Sequence, residues 1–343
     1  MNETVAALLT RDKGVLAADE SFPTIAKRFE ALGIEATEES RRAYREMLFT
    51  TVGMGEFISG VILFDETLRQ RTQDGVPMAE VLSKQGIIPG IKVDMGAKAL
   101  AAFAGEKITM GLDGLRERLA EYRELGARFT KWRAVIAVDE HLPTRACIEA
   151  NAGALAMFAA LSQEADLVPI VEPEVLMNGK HTIARCEEVT TLTLKAVCGA
   201  LFEQRVVLEQ MLLKTGMVLS GAECPEQADA EIAANATLRC LRRTVPAAVP
   251  GVVFLSGGQS DESATQKLNA ICRGSDTPWK VTFSFGRALQ APAMNAWKGS
   301  PDNVIGAQKA LHHRARCNSA AIRGKYSAEM EKTGLPLLER EHV

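Results

Sequence analysis

The stretch Leu212-Leu213-Lys214-Thr215-Gly216-Met217-Val218-Leu219 is a mostly apolar run that carries one charged residue. A continuous apolar run, as opposed to an alternating one, is typical of a parallel strand that is covered on both faces. A lysine in such a strand loses its hydration, and proteins retain buried cations mainly where they are paired or functional. Lys214 is therefore a candidate reactive amine.

Seven similar runs occur elsewhere in the chain, at residues 15–19, 60–64, 87–94, 129–136, 167–174, 251–258 and 279–287. The segments between the runs are long enough for helical crossovers, and Gly33, Gly86 and Gly126 end helical segments. This repeated order predicts an α/β fold, a (β/α)8 TIM barrel, with an extra helix at 35–51 between the first two strands. Because no linker divides the chain, we expect one barrel domain over residues 1–326, followed by a mobile polar tail at 327–343.

The overall composition favours a small-molecule enzyme. The formal net charge is only -3, aromatic residues make up 5%, and no lysine/arginine-rich block occurs, so neither nucleic acid nor a membrane is an expected partner. The N-terminus lacks the features of a secretory signal, which predicts a cytoplasmic location. The seven scattered cysteines predict no disulfide framework, and the five histidines show no metal-ligand spacing, so we expect no metal site.

Charged residues occur late in several of the apolar runs, where barrel enzymes place their catalytic groups. Residues two apart on a strand share a face, which gives the pairs Lys92 with Asp94, Lys131 with Arg133, and Glu172 with Glu174. We therefore expect these side chains to meet in one barrel mouth.

This set of charges can support Schiff-base chemistry. An ordinary lysine is almost entirely protonated at neutral pH and cannot attack a carbonyl. Burial of Lys214, together with neighbouring cations such as Lys131 and Arg133, disfavours its charged form and yields a nucleophilic amine. Formation of the imine also requires proton transfer, for which a carboxyl group such as Glu172 or Glu174 is suited.

The last two runs predict a phosphate site. Ser256-Gly257-Gly258 and Ser284-Phe285-Gly286-Arg287 combine backbone that can approach an anion closely with hydroxyl and guanidinium donors. In barrels, the loops after strands seven and eight frequently bind phosphate.

Structural explanations remain open for each of these features. Lys214 could extend to water from a strand end, and the paired charges could form a purely structural ion network. Ser256-Gly257-Gly258 could be a tight turn, while Asp19 and Ser21 could cap the following helix.

Eight segments in order resemble class I fructose-bisphosphate aldolase, over about Leu16 to Tyr326. The segments are LAADES (16–21), GVILF (60–64), GIKVD (90–94), KWR (131–133), VPIVEPE (168–174), LLK (212–214), FLSGGQS (254–260) and GRALQ (286–290). The resemblance implies a lyase that needs no metal or other cofactor and reversibly splits fructose 1,6-bisphosphate into dihydroxyacetone phosphate and glyceraldehyde 3-phosphate, as in glycolysis. It also implies a homotetramer.

The resemblance also implies roles for individual residues. Lys214 matches the Schiff-base lysine, Glu172 the acid/base of imine formation, and Lys131 its electrostatic partner. Asp19 matches the base that takes the C4 hydroxyl proton. The remaining matches are Glu174 and Arg133 for orienting these groups, Ser256, Gly257, Gly286 and Arg287 for the C1 phosphate, and Ser21 and Lys92 for the C6 phosphate.

Two other functions fit the same pattern. One is a different lysine-dependent phosphosugar enzyme of this architecture, such as a transaldolase-like enzyme. The other is a phosphosugar-binding or scaffold protein that has lost turnover. The second alternative stays open because many family members end in a tyrosine that assists enamine protonation, whereas this chain ends in Glu341-His342-Val343.

Overall fold

The computed structural model describes residues 1–273 and 276–332, and eight parallel strands in it close into a barrel. The strands of the described residues are β1 (Gly14–Ala18), β2 (Ile58–Leu63), β3 (Ile88–Lys92), β4 (Ala97–Ala99), β5 (Lys107–Thr109), β6 (Phe129–Ile136), β7 (Val168–Val175), β8 (Leu212–Thr215), β9 (Gly251–Phe254) and β10 (Lys280–Phe285). Around the ring, the strand order is β1-β10-β9-β8-β7-β6-β3-β2. The predicted (β/α)8 barrel is confirmed. The two remaining strands, β4 and β5, form an antiparallel pair on the chain between β3 and β6.

Helices occupy most of the segments between the strands. They are α1 (Asn2–Leu8), α2 (Phe22–Glu30), α3 (Glu38–Phe49), α4 (Asp65–Arg69), α5 (Met78–Lys84), α6 (Leu115–Glu124), α7 (Arg145–Glu164), α8 (Ile183–Glu203), α9 (Ala230–Thr244), α10 (Asp261–Arg273), α11 (Arg287–Trp297), α12 (Val304–Ile322) and α13 (Glu329–Lys332), with short 3-10 turns at Met54–Glu56, Leu208–Gln210 and Pro301–Asn303. Two helices, α2 and α3, lie between β1 and β2. None of the helices in the described ranges is both long and apolar enough to span a membrane.

Several helix starts follow directly from the sequence. The side chains of Thr37, Thr144, Thr182 and Asp229 each accept a hydrogen bond from the backbone N–H three residues later, at the first turns of α3, α7, α8 and α9. Such N-caps satisfy backbone donors that have no partner inside the helix.

Glycines within β2 and β3 leave room for a bulky side chain in the barrel interior. The ring of Phe129 lies against Gly90, where an added Cβ would stand 2.3 Å from the ring, and against Gly60, where the distance would be 3.1 Å. Leu8 and Leu9 from the end of α1 join Phe129 in this inner core and close the N-terminal end of the barrel. The opposite end, where the strands terminate, remains open.

The described part of the C-terminal tail is attached to the barrel by an ion pair. Both carboxylate oxygens of Glu331 in α13 accept hydrogen bonds from the buried Arg314, at 2.5 and 2.6 Å, and Tyr326 donates its hydroxyl to Glu331 at 2.8 Å. Residues 333–343, most of the predicted tail, lie outside the described residues. The tail's mobility and the domain boundary at residue 326 stay predictions.

Candidate active site

A cleft of about 920 Å³ opens at the C-terminal ends of the barrel strands. It is lined by all twelve residues that the sequence predicts for the site: Asp19, Ser21, Lys92, Lys131, Arg133, Glu172, Glu174, Lys214, Ser256, Gly257, Gly286 and Arg287. Each of these residues lies on a barrel strand or in the loop that follows one, except Arg287, which is the first residue of α11. Because all eight strands run parallel, charges placed late in the apolar runs reach this mouth together.

Lys131 on β6 lies at the centre of the cluster. Its Nζ is 2.6 Å from Asp19 Oδ2, 3.5 Å from Glu172 Oε2 and 3.8 Å from Asp94 Oδ2. Burial disfavours the charged ammonium, but the three carboxylates outweigh this effect and raise the pKa of Lys131 above its ordinary value. Lys131 is thus held as a cation.

Asp19, immediately after β1, is held as an anion by the surrounding lysines. Burial acts to raise the pKa of Asp19, whereas the ammonium groups of Lys131, Lys214 and Lys92 lower it, and the net result is a pKa well below the usual range. Asp19 is therefore a carboxylate at neutral pH, and in this form it can accept a proton.

Lys214 on β8 is 3% exposed, and its Nζ lies 3.3 Å from Glu172 Oε1. Glu172 on β7 therefore lies between the two lysines, with Oε1 facing Lys214 and Oε2 facing Lys131. Glu172 Oε2 is buried and makes no hydrogen bond to any of the described residues. The other oxygen, Oε1, faces the Lys214 amine, so this buried carboxylate can take part in proton transfer with Lys214.

Arg133 and Glu174 form a second ion pair in the wall of the cleft. Arg133 binds Glu174 through its Nε, and burial, which acts against the guanidinium charge, is outweighed by Glu174 so that the pKa of Arg133 rises. The side chain of Arg133 is 43% exposed, whereas that of Glu174 is 10% exposed. Glu174 thus anchors a cation that still reaches the open cleft.

Asp94 belongs to this cluster, as its pairing with Lys92 predicted, although sequence analysis assigned it no catalytic or phosphate-binding role. Its Oδ1 lies 2.8 Å from Lys92 Nζ, and its Oδ2 accepts a hydrogen bond from the backbone N–H of Arg133 at 3.2 Å. The pairing of Asp94 with Lys92 on one strand face was the available signal. Asp94 connects the cations of β3 and β6.

Glu20 is a residue of the site that sequence reasoning missed. Its carboxylate accepts hydrogen bonds from Arg28 at 2.5 Å, Arg45 at 2.6 Å and Gln290 Nε2 at 2.8 Å. These contacts fix the backbone next to Asp19. The position of Glu20 next to Asp19 was the only feature of the sequence that indicated a place in the site, because two of its three partners lie 25 and 270 residues away.

The glycine-rich turn after β9 has the backbone geometry that the phosphate prediction requires. Gly257 and Gly258 have φ values of 59° and 97°, in the left-handed region that glycine adopts without strain. A Cβ added to Gly258 would lie 3.1 Å from Nη2 of Arg287, so the guanidinium rests over this turn. Ser256, also in this turn, is buried at the mouth of the cleft.

Among the predicted phosphate contacts, Ser256 and Gly257 lie across the mouth from Lys92. Ser256 and Gly257 follow β9, which is the neighbour of β8 and hence of Lys214. Lys92 ends β3, which stands four places from β9 in the ring of eight strands and is therefore across the barrel. The arrangement suits a substrate that carries an anionic group at each end.

Comparisons with known proteins identify the family. A family model described as class-I fructose-bisphosphate aldolase matches residues 1–336. The chain belongs to the class I fructose-bisphosphate aldolase family. This family is the one that the ordered sequence segments indicated, and the recognition is confirmed.

Individual relatives agree with the family match. A protein of Xanthomonas campestris named probable fructose-bisphosphate aldolase class 1 is 55% identical over 325 residues, which cover 94% of this chain and 97% of that protein. Fructose-bisphosphate aldolase 1 of Toxoplasma gondii is 51% identical over 326 residues, covering 94% and 90%. The family match favours an aldolase over the transaldolase-like alternative.

A solved structure has the same fold. Fructose-bisphosphate aldolase from Plasmodium falciparum, crystallised with TRAP and a small-molecule inhibitor, superposes with a TM-score of 0.94 at 49% identity, and the match covers 95% of each chain. The similarity therefore extends over the whole barrel.

Proposed function

We propose that this chain catalyses the reversible cleavage of fructose 1,6-bisphosphate to dihydroxyacetone phosphate and glyceraldehyde 3-phosphate through a Schiff base on Lys214. The observation that carries the proposal is the position of Lys214 Nζ, buried and 3.3 Å from the Glu172 carboxylate. A buried amine beside a buried carboxylate can exchange its proton and attack a carbonyl. Family membership specifies the substrate.

The first half of the reaction forms the imine. Glu172 takes a proton from the Lys214 ammonium, the free amine attacks C2 of the ketose, and a carbinolamine results. Glu172 then returns the proton to the carbinolamine hydroxyl, which leaves as water, and a protonated imine remains. Lys131, with its Nζ 3.5 Å from Glu172 Oε2, is the electrostatic partner of Glu172 in this exchange.

The second half breaks the carbon–carbon bond. Asp19 removes the proton of the C4 hydroxyl, the C3–C4 bonding electrons move to the protonated imine, and glyceraldehyde 3-phosphate leaves from the resulting enamine. The iminium is the electron sink, which is the role that a metal fills in another class of aldolase. Protonation of the enamine at C3 and hydrolysis of the imine release dihydroxyacetone phosphate and restore Lys214.

The anion-binding groups orient the substrate in this scheme. Ser256, Gly257, Gly286 and Arg287 hold the C1 phosphate, next to the strand that carries Lys214, since C1 is bonded to the carbon that Lys214 attacks. Ser21 and Lys92 hold the C6 phosphate. Glu174 and Arg133 keep the two acid/base carboxylates in position.

Borohydride trapping tests this function directly. With dihydroxyacetone phosphate present, reduction should fix one substrate-derived adduct on Lys214, measured by mass spectrometry of a proteolytic digest, and activity should be lost. Reduction without substrate is the control and should leave activity intact.

Cleavage should also continue at an unchanged rate after treatment with a chelator, because the iminium accepts the electrons. A missing adduct at saturating ligand would contradict the proposal, and binding without cleavage would favour a scaffold protein.

We further propose that the protein is a cytoplasmic homotetramer. The described residues contain no disulfide, which is typical of a reducing compartment, and the family resemblance supports four subunits. Several large apolar side chains, among them Phe202 and Ile305, are exposed on the isolated chain. Light scattering should give a mass four times the 37.1 kDa of one chain. A single-chain mass at micromolar concentration would exclude the tetramer, and fractionation with cytosolic markers would test the location.

A further inference from the structure

A second cleft, of about 470 Å³, lies at the other end of the barrel. Lys280 is the first residue of β10, and Lys13 directly precedes β1, whereas the active-site groups lie at the strand ends. This basal cleft is lined by five basic residues, Arg11, Lys13, Lys280, Arg323 and Lys325, by one carboxylate, Asp12, and by the apolar side chains of Leu9, Val281 and Ile322 among others. None of these residues takes part in the proposed mechanism.

The charge in the basal cleft is unbalanced. Within the residues that the structure describes, Arg11 is the one cation of the five with a carboxylate partner, Asp12, and the separation is a long 3.8 Å. Lys13 donates to the carbonyl of Gly55, and Lys280 donates to the carbonyl of Leu9 at 3.3 Å. Carbonyl oxygens orient the two ammonium groups but do not neutralise them. Positive potential therefore accumulates in this concave surface.

The exposed cations and the size of the basal cleft both suit a small phosphorylated ligand. Arg323 and Lys325 are exposed at the edge of the cleft and make no ion pair within the described ranges, so their donors are available to a ligand. Guanidinium groups bind phosphate through two parallel hydrogen bonds, and ammonium groups act as point charges on it. The volume falls within the ordinary range of small-molecule sites, which is about 300–1,000 Å³.

We propose that the basal cleft is a binding site for a compact phosphorylated metabolite that carries more than one phosphoryl charge. Lys13 and Lys280 would hold one phosphoryl group inside the cleft, and Arg323 with Lys325 would bind a second at its edge. The apolar residues on the wall would contact the carbon skeleton. A concave site of this size accommodates a small polyanion and excludes a folded acidic partner. The inference does not depend on the proposed catalytic function.

Calorimetric titration with inorganic pyrophosphate tests the site in the full chain. The wild-type protein should show two binding events, since the active-site cleft also offers phosphate ligands. The double variant Arg323→Gln/Lys325→Gln should weaken one event at least about tenfold, because two charge-assisted contacts are lost. Its kcat and KM for fructose 1,6-bisphosphate should stay at the wild-type values.

A matched control removes the same amount of charge elsewhere. Lys195 and Lys309 are exposed lysines outside both clefts that form no ion pair in the described ranges. The variant Lys195→Gln/Lys309→Gln should keep both binding events. Identical isotherms for Arg323→Gln/Lys325→Gln and this control would overturn the proposal. Loss of all pyrophosphate binding in Arg287→Ala would also overturn it, because every bound anion would then belong to the active-site cleft.

Discussion

Replacing Lys214 by alanine should lower kcat for cleavage of fructose 1,6-bisphosphate by on the order of 10⁵-fold or more, as loss of a covalent nucleophile does in other enzymes. Without the amine no imine forms, and the carbanion at C3 has no electron acceptor. Steady-state assays would measure the loss, and borohydride trapping with dihydroxyacetone phosphate should yield no adduct.

The variant Lys214→Arg separates nucleophilicity from charge. Arginine keeps a cation beside Glu172 but stays protonated at any working pH, so it cannot attack a carbonyl. It should therefore be as inactive as Lys214→Ala. If Lys214 served only in an ion network with Glu172, Lys214→Arg would instead retain much of the activity.

A surface lysine provides the remaining control. Lys195→Ala, in α8 and outside the cleft, should keep the wild-type kcat and the wild-type trapping yield. Cleavage by Lys214→Ala above about one hundredth of the wild-type rate would mean that another amine, or none, carries the chemistry.

The sequence predicts the barrel because each of its strands must be buried on both faces. Continuous apolar runs mark such strands, and each of the eight runs overlaps an observed barrel strand. The ends of the runs do not predict the residues at which the strands end. Residues 216–219 and 255–258 were predicted as strand, yet β8 ends at Thr215 and β9 at Phe254. The backbone N–H of Val218 donates to the side chain of Thr237, so this residue is buried without strand pairing.

The antiparallel pair β4 and β5 was not predicted. Its strands have three residues each, Ala97–Ala99 and Lys107–Thr109, and are partly exposed, so they carry no apolar run. Local pattern cannot indicate a strand that is stabilised mainly by its partner. The pair nevertheless lies at the cleft, since Ala97 and Lys98 form part of its wall.

The site residues that could be predicted are those whose neighbours in the sequence already indicate an unusual environment. Lys131, Glu172 and Lys214 could be identified because a charge inside an apolar run is a local anomaly. Glu20 could not be recognised as a buried anchor, because its environment is created by Arg45 and Gln290 from distant segments. Burial and ion pairing of a residue in an ordinary polar stretch depend on the tertiary fold.

Replacing Asp19 by asparagine should lower kcat for cleavage by about 10²–10⁴-fold, the range typical of a lost general base, and leave imine formation intact. Asparagine keeps the shape of the side chain but cannot accept the C4 hydroxyl proton. Dihydroxyacetone phosphate has no C4 hydroxyl, so its reduction onto Lys214 does not require Asp19. Trapping yields in Asp19→Asn should therefore stay within a few-fold of wild type.

The loss of kcat caused by Asp19→Asn should depend little on pH, because the surrounding lysines keep Asp19 ionised. Lys131, Lys214 and Lys92 outweigh burial and lower the pKa of Asp19 below its unfolded-state value of about 4. The resulting stabilisation is fully present above that unfolded-state pKa and is lost as the pH falls through the lower pKa of the folded state. Since Asp19 is ionised throughout the assay range, the Asp19→Asn loss should be nearly constant from pH 5 to 9.

A comparison with Glu172→Gln makes the Asp19 assignment specific. Glu172 acts in imine formation, so its glutamine variant should slow both cleavage and trapping, again by about 10²–10⁴-fold. Asp19→Asn should slow cleavage alone. If Asp19→Asn also lost trapping, Asp19 would be acting through the charge of Lys131, 2.6 Å away, on the imine-forming groups, and the proton of the C4 hydroxyl would have to pass to another base.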